Sequence, residues 1–149
     1  LNYPDQGLDL VSLVDMSHHV EEAYASVRPD LVISHSASDL NQDHRRVLEA
    51  SLVALRPVPD GSPTIISGEV VSASHWNRGI SSAFNPNVFV DVSNSFSSKL
   101  KALNLYGEEM RSWPHARSYE AIDALASFRG SSTGVDKAEA FELVRTTIR

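Results

Sequence analysis

Arg28-Pro29-Asp30-Leu31-Val32-Ile33-Ser34-His35-Ser36-Ala37-Ser38-Asp39-Leu40-Asn41-Gln42-Asp43-His44-Arg45 is the stretch on which the fold turns. Pro29 disfavours helical geometry at the residue before it, so Arg28-Pro29-Asp30 ends whatever helix precedes it. Leu31-Val32-Ile33 is a short β-branched apolar run of the kind that forms a buried strand. Ser34 to Gln42 is rich in Ser, Asp and Asn, which favour turns and helix caps. From about Asp43 to Leu55 the apolar residues Val47, Leu48, Leu52 and Leu55 mark one face of a helix. Upstream, Leu13, Val20, Ala23, Tyr24 and Val27 recur at helical spacing and predict a helix over roughly Ser12 to Val27. A helix, a short turn and a buried strand point to a βαβ-type layered sheet.

Further along, Pro57, Pro59, Gly61 and Pro63 make a stiff connection. Thr64 to Ser72 and Val88 to Val92 read as two more strands. Phe96, Leu100, Leu103 and Tyr106 predict a helix from about Ser95 to Met110. Ser118 to Phe128 predicts another, with Gly130 as its C-cap. Asp136 to Thr146 is expected to be the last helix, and Phe84, Phe89, Phe96 and Phe141 are assigned to the core. The expected fold class is α/β, with flanking helices on a layered sheet, and residues 1–149 are expected to form a single domain.

Composition narrows the function. The chain is 42% hydrophobic and 21% charged, as soluble globular domains are, and no apolar run is long enough for a membrane span. The net charge of −6 is dispersed and argues against nucleic acid as a partner, since a phosphate backbone calls for a basic face. Cysteine is absent, which removes disulfides, thiolate metal sites and cysteine nucleophiles together and fits a cytoplasmic location. Any metal here must be held by His and carboxylate.

Open α/β sheets place ligands in the loops that follow strands. The loop after Ile33 holds Asp39, Asn41, Asp43 and His44. The first three match the opening of an EF-hand calcium loop. The match then fails, because its sixth position, normally Gly, is His44 and its twelfth, normally Glu, is Ala50. A transition-metal site is the other chemical reading. His44 falls on the first helical turn and neutral imidazole is a common zinc ligand. Asp43 and Asn41 could orient such a site. Against it, these residues also suit a plain helix cap with His44 a bystander. Spacing alone favours the cap, because one His cannot hold a catalytic zinc.

The run Ser34 to Arg46 resembles the second signature of the LmbE/PIG-L family, zinc-dependent N-deacetylases acting on N-acetylglucosamine-type amides. The likeness continues in order along the chain. Arg28 to Ile33 is similar to the family's strand before that loop, and Arg56-Pro57 to its helix end. Phe84 to Val92 is similar to a later strand, and Lys99, Ala102, Leu103 and Tyr106 to a Lys-Ala-Leu-Tyr helix. Arg117-Ser118, Arg129-Gly130 and Ala138 to Phe141 are similar to its C-terminal pattern.

The resemblance implies a Rossmann-like, LmbE-like sheet and Zn2+ as cofactor, with His44 as a metal ligand. It implies catalytic parts for Asp43, supporting the site, and Asn41, facing the oxyanion where several members carry His. It implies an amino-sugar conjugate as substrate, with Asp39, Glu69 and Arg117 at the substrate. The family's first signature, a His-Pro-Asp-Asp-Glu-like run supplying further ligands and the general base, has no counterpart between Leu1 and Asp30. The implied chain therefore starts downstream of that run, lacks the N-terminal strands and leaves apolar surface uncovered. With such a segment present, the expected reaction is attack of zinc-bound water on the acetamide, giving acetate and a free amino sugar. The alternative is a catalytically inactive fragment or a non-catalytic sugar-binding subunit of the same fold.

Other polar residues carry two readings each. His35, at the strand's exit, is a spare acid or a packed strand end. His18 and His19 are adjacent on a helix, cannot share one face, and read as solvated surface. His75 and Trp76 form a substrate wall or simple loop packing. Glu69 has a cross-strand ion pair as its plain alternative, Arg117 a helix cap and Glu139 a loop anchor.

Overall fold

A computed structural model describes residues 2–59, 61–77, 79 and 82–148. The first long helix, α1, spans Leu13–Val27 and starts where the Ser12 hydroxyl accepts the Val14 N–H. It stops at Arg28, which takes a left-handed conformation (φ 47°) just before Pro29. Strand β1 follows at Leu31–His35, then helix α2 at Gln42–Ala54 and strand β2 at Thr64–Gly68. β1 and β2 pair in parallel, from Leu31 opposite Thr64 to His35 opposite Gly68, so β1–α2–β2 is the expected βαβ unit.

β2 ends earlier than the alternation suggested: residues 69–72 form loop and turn, and the short helix α3, Ala73–Trp76, follows. β1 departs from expectation on one face. Leu31 is 47% and Ile33 60% exposed, whereas Ile65 and Ile66 of β2 are buried. Among the described residues β1 lies at the edge of the sheet.

Strand β3 is Val88–Asp91 and helix α4 is Phe96–Asn104, shorter than predicted because turns replace helix from Leu105 onward. Helix α5, Tyr119–Ser131, begins where the buried Ser118 hydroxyl accepts the Ala121 N–H. Gly130 lies inside α5 rather than capping it. A Cβ there would sit 2.6 Å from the Val135 carbonyl oxygen and 2.8 Å from that of Asp136, so glycine is required by close backbone approach. The predicted last helix is a strand, β4, at Ala138–Arg145. It pairs antiparallel with β3, Val88 opposite Phe141 and Asp91 opposite Ala138. Ala138, Ala140 and Phe141 are buried while Glu139 stays half-exposed, and the helix-forming Ala and Glu disguise the strand.

Among the described residues four strands run in the order β1-β2-β4-β3, giving a mixed α/β fold with a four-stranded sheet and flanking helices. The chain forms two compact units, Leu1–Asn85 with Glu142–Arg149, and Pro86–Phe141. In the first, Leu8, Met16 and Ala50 form a core cluster against which Val11, Leu13, Val20 and Val47 pack. The second buries Phe96, Ile122, Ala126 and Phe141, while its Phe89, and Phe84 in the first unit, are only half-buried. No helix among the described residues is long and apolar enough to cross a membrane.

Candidate functional site

The loop between β1 and α2 is folded around the Asp39 carboxylate, which is completely buried. A buried carboxylate must have its oxygens satisfied, and this one does. Oδ1 accepts the Asn41 N–H at 2.8 Å, closing a tight turn. Oδ2 lies 2.8 Å from Nδ1 of His44. Since an ionised carboxylate only accepts, Nδ1 is the donor, and the neutral ring then keeps its lone pair on Nε2. That is how a carboxylate fixes the tautomer of a ligating or proton-accepting histidine.

His44 is also fixed from its face. Its ring stacks on His35, centroids 4.0 Å apart and planes 6° from parallel. Burial holds the His35 imidazole below its ordinary value of 6.5; the neighbouring His44 lowers it further and Asp39 opposes both.

Asn41 and Asp43 are engaged locally. The Asn41 side chain caps α2 by accepting the Asp43 N–H at 2.9 Å. The buried Asp43 carboxylate accepts the Leu8 N–H at 3.1 Å, tying the N-terminal segment to α2. Arg45 Nη1 donates to the carbonyls of Asp39 and Leu40 at 2.5 and 2.9 Å. From the β2 side, Asn77 Nδ2 donates to the Ser38 carbonyl at 2.7 Å, and the Leu40 N–H donates to the Ala73 carbonyl at 3.2 Å.

Three further residues singled out in the sequence have partners of their own. Glu69, just past β2, has a largely buried carboxylate 3.2 Å from Nε2 of His75. Arg117 belongs to the second unit, where Nη1 lies 2.6 Å from a Glu109 carboxylate oxygen. Glu139, on β4, pairs with Lys99 at 2.5 Å. Trp76 is 54% exposed, and His19 is bonded to the Tyr3 hydroxyl rather than solvated. Sequence reasoning missed Ser36, Asn77 and Glu142. A serine among serines gave no signal, and Glu142 stood in a segment read as helix.

Chemically the arrangement is a carboxylate–imidazole pair at the carboxyl end of a parallel strand. Among the described residues no group of three or more His, Asp or Glu side chains is placed to hold a metal ion. A catalytic zinc takes about three protein ligands, so the described residues alone do not fit zinc. They offer one oriented imidazole.

No family model and no curated protein matches the chain. Among solved structures it is similar to the crystal structure of the conserved protein TT1542 from Thermus thermophilus, at 21% identity and a TM-score of 0.70. The match covers 99% of this chain and 65% of that one, so the chain spans about two thirds of its length. At that identity the likeness shows a shared fold.

Proposed function

We propose that the chain belongs to an LmbE-like N-deacetylase that removes acetate from an N-acetylglucosamine-type conjugate. The observation that carries the reading is the buried Asp39 carboxylate behind Nδ1 of His44. An isolated helix cap has no need of a carboxylate held at an imidazole nitrogen inside a dry turn. The pair stands where α/β sheets place ligands, and the ordered resemblance along the chain supports the same activity. Zinc belongs to this proposal only together with donors beyond the described residues, and His44 would be its contribution from this chain. Glu69, in the same unit as His44, remains the proposed sugar contact; Arg117, in the other unit, and the fully buried Asp39 are not carried into it.

One observation favours the non-catalytic alternative. The Asn41 carbonyl and an Asp43 oxygen are committed to the α2 cap and to Leu8, which is what a binding or scaffold loop requires. Metal content and acetate release separate the two, measured on the intact protein that contains this chain. Stoichiometric zinc and acetate release from N-acetylglucosamine conjugates, both lost in H44A, are the expected results. Sugar binding with neither zinc nor acetate would establish the alternative and reject the enzyme.

A further inference from the structure

We infer that Ser36 and Glu142, 106 residues apart in sequence, are positioning residues that hold Asp39 against His44. The inference concerns the geometry of the pair; only its consequence for catalysis rests on the deacetylase reading.

Ser36 is fully buried at the exit of β1, and both its hydroxyl and its carbonyl are employed in the loop. The hydroxyl accepts the Ser38 N–H at 3.0 Å and the carbonyl accepts the Asp39 N–H at 3.2 Å. One residue therefore sets the two backbone amides that lead into Asp39. The same hydroxyl donates to Oε2 of Glu142 at 3.1 Å. A hydroxyl that both donates and accepts has its rotation fixed, so the carboxylate determines where its lone pairs point.

Glu142 is itself anchored. Its Oε1 accepts the Asn85 N–H at 2.7 Å, and its backbone belongs to β4. A strand residue thus orients a hydroxyl, the hydroxyl shapes a turn, and the turn delivers a carboxylate to an imidazole. The final link is tight. Asp39 has no exposed surface, and its two oxygens face two different donors at 2.8 Å each. A buried side chain in that position cannot compensate for a displaced backbone by choosing another rotamer without losing one of the two bonds. Asn77 and Arg45 brace the carbonyls of the same turn, whereas the two amides rest on Ser36.

The test reads the His44 ring directly. Long-range proton–nitrogen spectra of the intact protein, dialysed against a chelator so that no metal can occupy Nε2 and recorded near pH 8 where imidazoles are neutral, distinguish an Nδ1–H from an Nε2–H ring. The unaltered protein is expected to show His44 as the Nδ1–H form. S36A should lose that single-tautomer signature and S36T, which keeps the hydroxyl, should restore it. E142A should behave as S36A does, and E142Q, which retains one acceptor oxygen, should lie between. A folded S36A with the wild-type His44 signature overturns the inference. Amide exchange in the unaltered protein guards against a folding defect: Ser38 and Asp39 amides protected from exchange support the inference, and exchange at open-loop rates overturns it. Acetate release is followed in parallel. Tautomer loss in S36A beside an inactive wild type rejects the deacetylase while leaving the positioning role standing.

Discussion

Replacing Asp39 tests the site most sharply, because the carboxylate is completely buried and accepts two bonds. In D39A both donors, the Asn41 N–H and His44 Nδ1–H, lose their acceptor. Leaving a buried donor unsatisfied costs about 1–3 kcal/mol. Half-exposed His44 can recover part of its share from water, so the sum is about 2–4 kcal/mol. Against a typical domain stability of about 5–15 kcal/mol this is large. It corresponds to a Tm lower by roughly 5–15 °C at this chain length. D39N separates charge from shape. Asn keeps one acceptor oxygen and presents an NH2 in place of the other. If the oxygen stays on the Asn41 N–H, the NH2 faces His44, and the ring relieves the donor–donor clash by moving its proton to Nε2. D39N is thus expected to cost only about 1–2 kcal/mol yet to invert the His44 tautomer. Urea titration gives the first quantity and proton–nitrogen spectra the second. A D39A cost under about 0.5 kcal/mol, the ordinary surface value, or an unchanged tautomer in D39N would refute the reasoning.

Further expectations follow from burial and backbone geometry. Ile65, with no exposed surface in β2, should cost about 2–5 kcal/mol when cut to Ala, read from urea midpoints. Gly130→Ala should cost at least about 1–3 kcal/mol by overpacking, because its Cβ meets fixed backbone oxygens of Val135 and Asp136; a neutral G130A would show that the turn after α5 yields freely. Ser118→Ala should cost about 0.5–2 kcal/mol by uncapping α5, with S118D recovering less than usual because the site is buried. His35 supplies a pH dependence. Its folded value lies below 6.5, so between the two values the unfolded chain binds more protons. Stability should therefore fall as pH drops from about 6.5 toward the folded value, then level off, and H35Q should flatten that part of the profile.

The local rules that were legible in the sequence are those with one physical cause. Pro29 after Arg28, the helical spacing of Leu13, Val20, Ala23, Tyr24 and Val27, and the apolar face Val47–Leu48–Leu52–Leu55 placed α1, β1 and α2 within a residue or two. Where two causes competed, the reading failed. Ala138-Glu139-Ala140-Phe141-Glu142-Leu143 is built from good helix formers, and its register against β3 is a non-local fact that no window of sequence contains. That error had a further consequence. Once Glu142 is placed on a helix, nothing connects it with Ser36, and the link from strand to turn to imidazole is invisible.

The loop shows the same division from the other side. Asp39, Asn41, Asp43 and His44 share one loop in the sequence, yet their division of labour depends on which oxygen meets which donor. Asp43, next to His44 in sequence, and Asn41, three residues before it, turn their oxygens to the backbone N–H groups of Leu8 and of Asp43 respectively. Asp39, five residues back, is the one whose carboxylate reaches the ring. The helix geometry explains this: a side chain on the first turn points back toward the residues before the helix, so the natural partner of His44 is the turn, not its neighbour. The chemically useful pairing in a strand–loop–helix site is therefore to be sought about one turn of chain before the helix start, wherever a buried acid can reach back across the cap.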